Sequence, residues 1–185
     1  MEKNTNKGEQ AFINALLSLM EEKPYNQISV SELSELAEYD RRTYYRYFTS
    51  KDDILFSHCS ALLAEMAASM SASPLTPKSG FLSFFTFWND HRDFLALLYK
   101  QNLIHFLGEK LDRLLYRQVG LKVHDDLPDE LTLVSEFSRY AYYFTLGGLW
   151  QVLILWIRDG MTLTPEQLTA HVLNSFSEMQ KMNRD

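Results

Sequence analysis

The chain has 185 residues, which is long enough for one or two modest domains, and its 46% hydrophobic and 14% aromatic content exclude a disordered protein. Its one cysteine excludes an internal disulfide and fits a reducing cytoplasm. The formal net charge of −6 excludes a general polyanion-binding protein, and residues 1–53 are no more basic, with 7 Lys and Arg against 10 Asp and Glu.

The N-terminal part of the chain predicts three helices. Apolar residues at helical spacing predict a first helix over residues 9–22, which Pro24 ends. Ser29 and Glu32 have the spacing of a capping box, so the second helix is predicted to begin there. A tight turn at residues 38–40 follows, and Asp40 is predicted to cap the third helix. The last two helices and their turn have the organisation of a helix-turn-helix.

The third helix is apolar on one side and rich in Arg, Thr and Tyr on the other. Tyr44 and Phe48 lie four positions apart and are expected to face inward. The outer surface suits the DNA major groove, where Arg pairs with guanine, Thr contacts base edges, and Tyr and Lys bond phosphates. Outside a helix-turn-helix, the same cluster would be interpreted as an ordinary solvated helix face.

This stretch resembles the helix-turn-helix of TetR-family transcriptional regulators. The resemblance rests on ISV at residues 28–30, RTYYRYF at 42–48 and SKDDIL at 50–55. It implies an N-terminal three-helix domain that binds DNA. One departure is the turn Glu38-Tyr39-Asp40, where the family commonly has a small turn containing glycine. The predicted DNA-binding residues are Ser29, Val30, Arg41, Arg42, Thr43, Tyr45, Arg46, Tyr47 and Lys51.

The rest of the chain predicts further helices and no strands. A helix over residues 51–70 is followed by a loop at 71–79 that contains proline and serine. Later helices are predicted over residues 80–90, 91–101, 103–119, 130–158 and 164–182, with a polar linker at 120–129. The predicted fold is all-α with about nine helices, as in the TetR fold. We predict a DNA-binding domain at residues 1–50 and a helical domain for ligand binding and dimerisation at 51–185.

Residues 140–157 form a long uncharged run and raise the question of a membrane span. The run is near the lower length limit for a transmembrane helix, and it contains Thr145, Gln151 and a pair of glycines. A helix buried within a domain and at a subunit interface is the preferred interpretation. No membrane association is therefore predicted.

No constellation of residues predicts catalysis or a cofactor. The 5 histidines lack the spacing of a metal site. No glycine-rich phosphate loop or nucleophile elbow occurs in the sequence. We therefore predict no catalytic residue, no metal and no cofactor.

Aromatic residues are dense in the C-terminal half and allow two interpretations. Most of them can be ordinary core packing. The TetR resemblance implies instead that some line a cavity for a small-molecule effector, together with polar groups such as Gln101. Because no charged cluster lies among them, the effector is predicted to be neutral or apolar. The candidate ligand-binding residues are Phe84, Trp88, Phe94, Tyr99, His105, Phe106 and Tyr143.

The last two predicted helices carry apolar stripes, which a monomer could bury internally and a dimer could share. By resemblance, two such helices from each subunit form a four-helix interface, and a two-fold dimer matches a palindromic operator. The predicted interface residues are Leu149, Val152, Leu153, Trp156, Leu168, Val172, Phe176 and Met179. The C-terminal half also resembles the regulators of dihydroxyacetone kinase operons, through residues 81–88, Gly147-Gly148 and the sequence WIRDGM at 156–161.

These observations predict a cytoplasmic homodimer that regulates transcription, as a repressor that binds a double-stranded DNA operator and responds to an effector. The alternative is a helix-turn-helix coactivator or adaptor that acts by binding another protein. Glu38, Asp40 and the acidic net charge favour that alternative. Salt-dependent DNA binding would distinguish the two roles.

Overall fold

The computed structural model describes residues 2–71, 76–108 and 136–182. Every regular element within these ranges is helical, which confirms the predicted all-α class. In chain order the elements are α1 (Glu2–Glu22), a 3₁₀ turn (Tyr25–Gln27), α2 (Val30–Leu36), α3 (Arg41–Tyr47), α4 (Lys51–Ser71), α5 (Pro77–Asp90), α6 (Arg92–Lys100), α7 (Glu136–Arg158) and α8 (Pro165–Met182). A further helical segment begins at residue 104 and is described to residue 108.

Several predicted elements lie outside the described residues. They are most of the helix predicted at 103–119, the linker at 120–129 and the first part of the helix predicted at 130–158. Of the helices that are described, α1 begins earlier than predicted, at Glu2. The polar residues before position 9 carry no apolar periodicity, so the pattern used for the prediction could not detect this extension.

The chain divides into two compact units. The described residues of the first unit are 2–62 and 97–108, and those of the second are 63–71, 76–96 and 136–182. The predicted domain boundary at residue 50 therefore falls inside the first unit. The helices α2 and α3 share that unit with the start of α4 and with a segment that is distant in sequence.

The core of the first unit is built on the apolar face of α1. Phe12 is fully buried, and α1 packs against both α2 and α3. Ring centroids of Tyr44 and Phe48 lie 5.5 Å and 6.2 Å from that of Phe12. The inward orientation of Tyr44 and Phe48 predicted from the sequence is therefore confirmed.

The turn between α2 and α3 is closed without glycine. Glu38 has a left-handed backbone with a φ of 58°, a conformation that costs a residue with a Cβ about 1–2 kcal/mol. The Tyr39 N–H donates to the Ser34 carbonyl at 3.0 Å, which satisfies one of the last carbonyls of α2. Asp40 then caps α3, as predicted, by accepting from the Thr43 N–H at 2.6 Å.

Glu38→Gly is expected to raise the free energy of unfolding by up to about 1 kcal/mol, because glycine removes the Cβ strain but loses more backbone entropy on folding. Glu38→Gln is the matched control, since it removes the same charge and keeps the Cβ. Urea unfolding followed by circular dichroism measures both variants. Equal stabilities for the two variants would contradict the assignment of strain to this turn.

In the second unit, α5 packs against α8. Thr76 begins α5 with a capping box to Ser79, and Pro77 occupies the first turn. The ring of Phe85 packs edge-on against that of Trp156, with centroids 5.9 Å apart. No helix within the described ranges is long and apolar enough to cross a membrane.

Candidate nucleic-acid interface

The start of α2 is held by a reciprocal capping box. The Ser29 N–H donates to the Glu32 carboxylate at 3.0 Å, and the Glu32 N–H donates to the Ser29 hydroxyl at 3.3 Å. Lys23 also donates to the Glu32 carboxylate. Hydrogen bonds from Lys23 and Ser29 hold the pKa of Glu32 at about 2, so this contact persists across the physiological pH range. At this N-terminal end of α2, Ser29 is exposed and Val30 is half-buried.

The outer surface of α3 presents guanidinium and phenol groups to solvent. Arg42 is exposed, and within the described residues its side chain has no hydrogen bond or ion pair. Arg41 donates to the Ser31 hydroxyl, which links α3 to α2. Tyr45 is 61% exposed, and its ring lies edge-on against that of buried Tyr44, with centroids 5.1 Å apart. Among the three arginines of α3, Arg42 is therefore the one whose guanidinium makes no hydrogen bond to another described residue.

Arg46 and Tyr47 form a pair at the end of α3. The Arg46 guanidinium lies 4.9 Å from the centroid of the Tyr47 ring and donates to its hydroxyl at 3.1 Å. Tyr47 is half-buried because α1 passes close beside it. A Cβ at Gly8 would lie 2.8 Å from the Tyr47 ring, so only glycine leaves this ring its present position. The sequence prediction missed Gly8, because it began the first helix at residue 9. Once α1 is known to begin at Glu2, a glycine within a helix, which costs about 1 kcal/mol relative to alanine, marks this position.

Lys51 faces the protein. Its ammonium donates to the Tyr25 carbonyl at 2.6 Å and to the Ile28 carbonyl at 3.2 Å. It also lies 4.5 Å from the centroid of the Tyr25 ring. Burial lowers the pKa of Lys51. These contacts tie α4 to the backbone just before α2 and use two of the three donors of the ammonium. A phosphate contact by Lys51 stays a prediction.

Two of the predicted effector residues in the second unit are in contact with each other. Phe84 and Trp88 are buried, and their ring centroids are 6.4 Å apart. Phe87 and His91 complete an aromatic cluster around Trp88, at 5.1 Å and 6.5 Å. Phe94 is half-buried on α6. The side chain of Tyr143 lies outside the described part of the structure.

The other predicted effector residues fall in the first unit. Tyr99 and His105 are exposed, and Phe106 is buried with its ring 4.7 Å from that of Phe56. His105 contacts Phe106 at a centroid separation of 4.6 Å. A cavity lined by all seven predicted residues stays a prediction.

The predicted dimer residues divide by burial. Leu153, Trp156 and Leu168 are buried within their own chain, at 0%, 3% and 7% exposure. Their part in a dimer interface stays a prediction. Leu149, Val152 and Val172 are half-buried. The side chains of Phe176 and Met179 lie outside the described residues.

Metal binding has no support in the described ranges. No group of three or more His, Cys, Asp or Glu side chains is placed there to hold an ion. Ser29, Glu32 and Asp40 are engaged in capping, and Arg41 makes a contact between helices. Arg42, Tyr45 and Arg46 are exposed on α3, and Glu38 is exposed beside them.

The chain matches two protein-family profiles. Residues 12–57 match bacterial regulatory proteins of the tetR family, and residues 76–178 match a transcriptional regulator C-terminal region. It is also 23% identical over 189 residues to an uncharacterized HTH-type transcriptional regulator, YuxN, of Bacillus subtilis strain 168. That alignment covers 94% of this chain, whereas the chain spans 63% of the length of that relative.

Two solved structures are similar to this one. The fatty acid degradation regulator FadR from Bacillus halodurans aligns with a TM-score of 0.55 and 21% identity, over 88% of this chain and 94% of its own. The dihydroxyacetone kinase operon activator DhaS aligns with a TM-score of 0.51 and 20% identity, over 95% of this chain and 97% of its own. At these identities both similarities concern the fold.

Proposed function

The chain belongs to the TetR family of bacterial regulatory proteins, and we propose that it is a cytoplasmic, dimeric transcriptional regulator that binds operator DNA through α3. The observation that carries this proposal is the two-sided character of α3. Tyr44 and Phe48 lock its inner side into the core, while Arg42 and Arg46 remain exposed on its outer side. A short helix held in this way can enter the major groove without losing its packing.

The formal charge of −6 does not oppose this function, because binding depends on where the charges lie. Arg42 and Arg46 lie on the outer surface of α3. Glu32 is paired with the ammonium of Lys23, which offsets its charge, and the Asp40 carboxylate is used to cap α3 through the Thr43 N–H. Glu38 is exposed and remains a repulsive group beside the helix.

Arg42→Ala is expected to weaken binding to a specific duplex by about 1–3 kcal/mol if the guanidinium pairs with guanine. The specific duplex is selected by the wild-type protein from a randomised pool, and a scrambled duplex measures non-specific binding. Arg92→Ala, which removes an exposed arginine of the second unit, is the matched control. Equal losses on both duplexes would mean that Arg42 contacts only phosphate.

The adaptor role makes the opposite prediction for the wild-type protein. A DNA-binding regulator shows an affinity that falls steeply with salt, because phosphate contacts release counterions. An adaptor shows neither selection of a duplex from the pool nor that dependence. The same titration therefore tests the proposed function and its alternative together.

We propose that the dimer forms through the exposed face of α7. Phe144 is 68% exposed and Leu155 is 44% exposed, and both are large apolar side chains. Gly147, Gly148 and Gln151 are also exposed, and their spacing places all five on one side of the helix. A Cβ at either glycine would meet no described atom within 4 Å, so a second helix could approach closely there. Membership of the TetR family supports a second copy of this chain as the occupant.

We further propose that an effector binds beside Trp88. This residue is fully buried among aromatic rings, yet its indole N–H has no hydrogen-bond partner among the described residues. An unpaired buried donor costs about 1–3 kcal/mol. An apolar effector with one acceptor oxygen would satisfy it. Such a ligand can regulate DNA binding only by its different affinity for the binding and non-binding states of the dimer, and we propose that it relieves repression.

A further inference from the structure

Pro24 leaves the end of α1 with backbone groups that the helix cannot satisfy. Within a helix, the Met20 carbonyl would accept from the N–H of residue 24, but proline has none. The Lys23 carbonyl loses its partner as well, because the Gln27 N–H donates to the Pro24 carbonyl at 2.9 Å. The Tyr25 N–H begins the 3₁₀ turn and has no acceptor within it.

One side chain satisfies all three groups. The Nε2 of Gln101 donates to the Met20 carbonyl at 2.5 Å and to the Lys23 carbonyl at 3.0 Å. Its Oε1 accepts from the Tyr25 N–H at 3.0 Å. A primary amide has two donors and one acceptor of this kind, so all of its donor capacity is used here. No carboxylate, hydroxyl or ammonium group could reproduce this set.

Tyr25 connects the backbone held by Gln101 to the start of the helix-turn-helix. Its hydroxyl donates to the Asp52 carboxylate at 2.5 Å, and its carbonyl accepts from Lys51 at 2.6 Å. Lys51 also holds the Ile28 carbonyl, which immediately precedes the Ser29 cap of α2. Gln101 is thus connected through Tyr25 to the first residue of the helix-turn-helix.

We propose that Gln101 is a positioning residue for operator binding, which fixes the start of α2 through the end of α1 and Tyr25. This inference rests on the proposed DNA-binding function. It assigns to the segment after α6 a part in setting the geometry of the reading helices, although the segment lies outside the predicted domain at residues 1–50. The sequence alone grouped Gln101 with polar groups of an effector cavity, whereas the structure engages its amide with the backbone of the first unit.

Gln101→Met tests this role, because it keeps the length of the side chain and removes every hydrogen bond. We expect the dissociation constant for the selected duplex to rise about tenfold, or about 1.4 kcal/mol. The salt slope should not change, since no phosphate contact is lost. Lys100→Met removes an exposed polar side chain next to it and is the control. An unchanged affinity, or an equal loss in the control, would overturn the proposal.

A double-mutant cycle with Pro24→Ala separates this role from general destabilisation. Alanine restores an N–H at position 24, which can donate to the Met20 carbonyl in place of Gln101. The loss caused by Gln101→Met should then shrink from about tenfold to about threefold in the Pro24→Ala background, or by about 0.7 kcal/mol. The same tenfold loss in both backgrounds would show that Gln101 does not serve this carbonyl.

Hydrogen exchange on the DNA-free protein distinguishes failure of this inference from failure of the proposed function. In Gln101→Met, amides of residues 20–36 should exchange about tenfold faster, while those of α5 are unchanged. If the wild-type protein binds no DNA but Gln101→Met still shows this exchange pattern, the proposed function is contradicted while the structural contact of Gln101 is supported. Unchanged exchange in residues 20–36 would overturn the positioning role.

Discussion

Phe12→Ala is expected to reduce the stability of the first unit by about 3–5 kcal/mol, the usual cost of removing a buried ring. Phe12 is fully buried, and the rings of Tyr39, Tyr44, Tyr47 and Phe48 lie with their centroids 5.5–6.5 Å from its own. Alanine would leave a cavity where α1 meets α3. Because the inner side of α3 depends on this ring, specific DNA binding should be lost with it.

The distribution of tryptophan makes this effect measurable in each unit. Trp88, Trp150 and Trp156 all lie in the second unit, so their fluorescence reports on that unit alone. Circular dichroism reports on helices of both units. In urea, Phe12→Ala should therefore shift the circular dichroism transition more than the fluorescence transition.

Phe12→Leu is the control, since a large aliphatic side chain refills most of the cavity and should retain part of the lost stability. Equal shifts in circular dichroism and fluorescence would mean that the units unfold together. Full stability in Phe12→Ala would contradict the central position of this ring in the core.

Leu155→Glu is expected to convert a dimer into monomers that keep their helical circular dichroism. Leu155 is 44% exposed in the single chain, so the charge is tolerated before association. In a two-fold interface each substitution occurs on both subunits, and burying a carboxylate without a partner costs several kcal/mol. The dimer dissociation constant should rise by at least about a hundredfold, which corresponds to about 2.7 kcal/mol. Sedimentation velocity over a range of concentrations measures this.

Operator affinity should fall in the same variant. Two linked reading heads bind a palindrome more tightly than one, because the second contact is intramolecular. Leu163→Glu makes the same substitution at an exposed leucine in the turn between α7 and α8 and should leave the dimer intact. A Leu155→Glu protein that remains dimeric would place the interface on another surface.

Local chemistry made the helix-turn-helix predictable from the sequence. The Ser29 capping box, the Asp40 cap and the inward orientation of Tyr44 and Phe48 all depend on residues within about a turn of one another. Their geometry follows from spacing, whatever the rest of the chain does. The same holds for the start of α8, where the Gln167 N–H donates to the Thr164 hydroxyl at 3.3 Å.

Only the tertiary structure decided which sides of α7 are buried. This helix is apolar nearly all round, so its sequence has no polar face to orient it. Packing within the second unit buries Leu153 and Trp156 and leaves Phe144 and Leu155 exposed. The dimer interface is therefore proposed on the exposed side of α7. The role of Gln101 could not be predicted from the sequence either, because its hydrogen-bond partners lie 76–81 residues away in the chain. Pro24 leaves the Met20 carbonyl without a partner in α1, and only the folded chain brings Gln101 close enough to donate to that carbonyl.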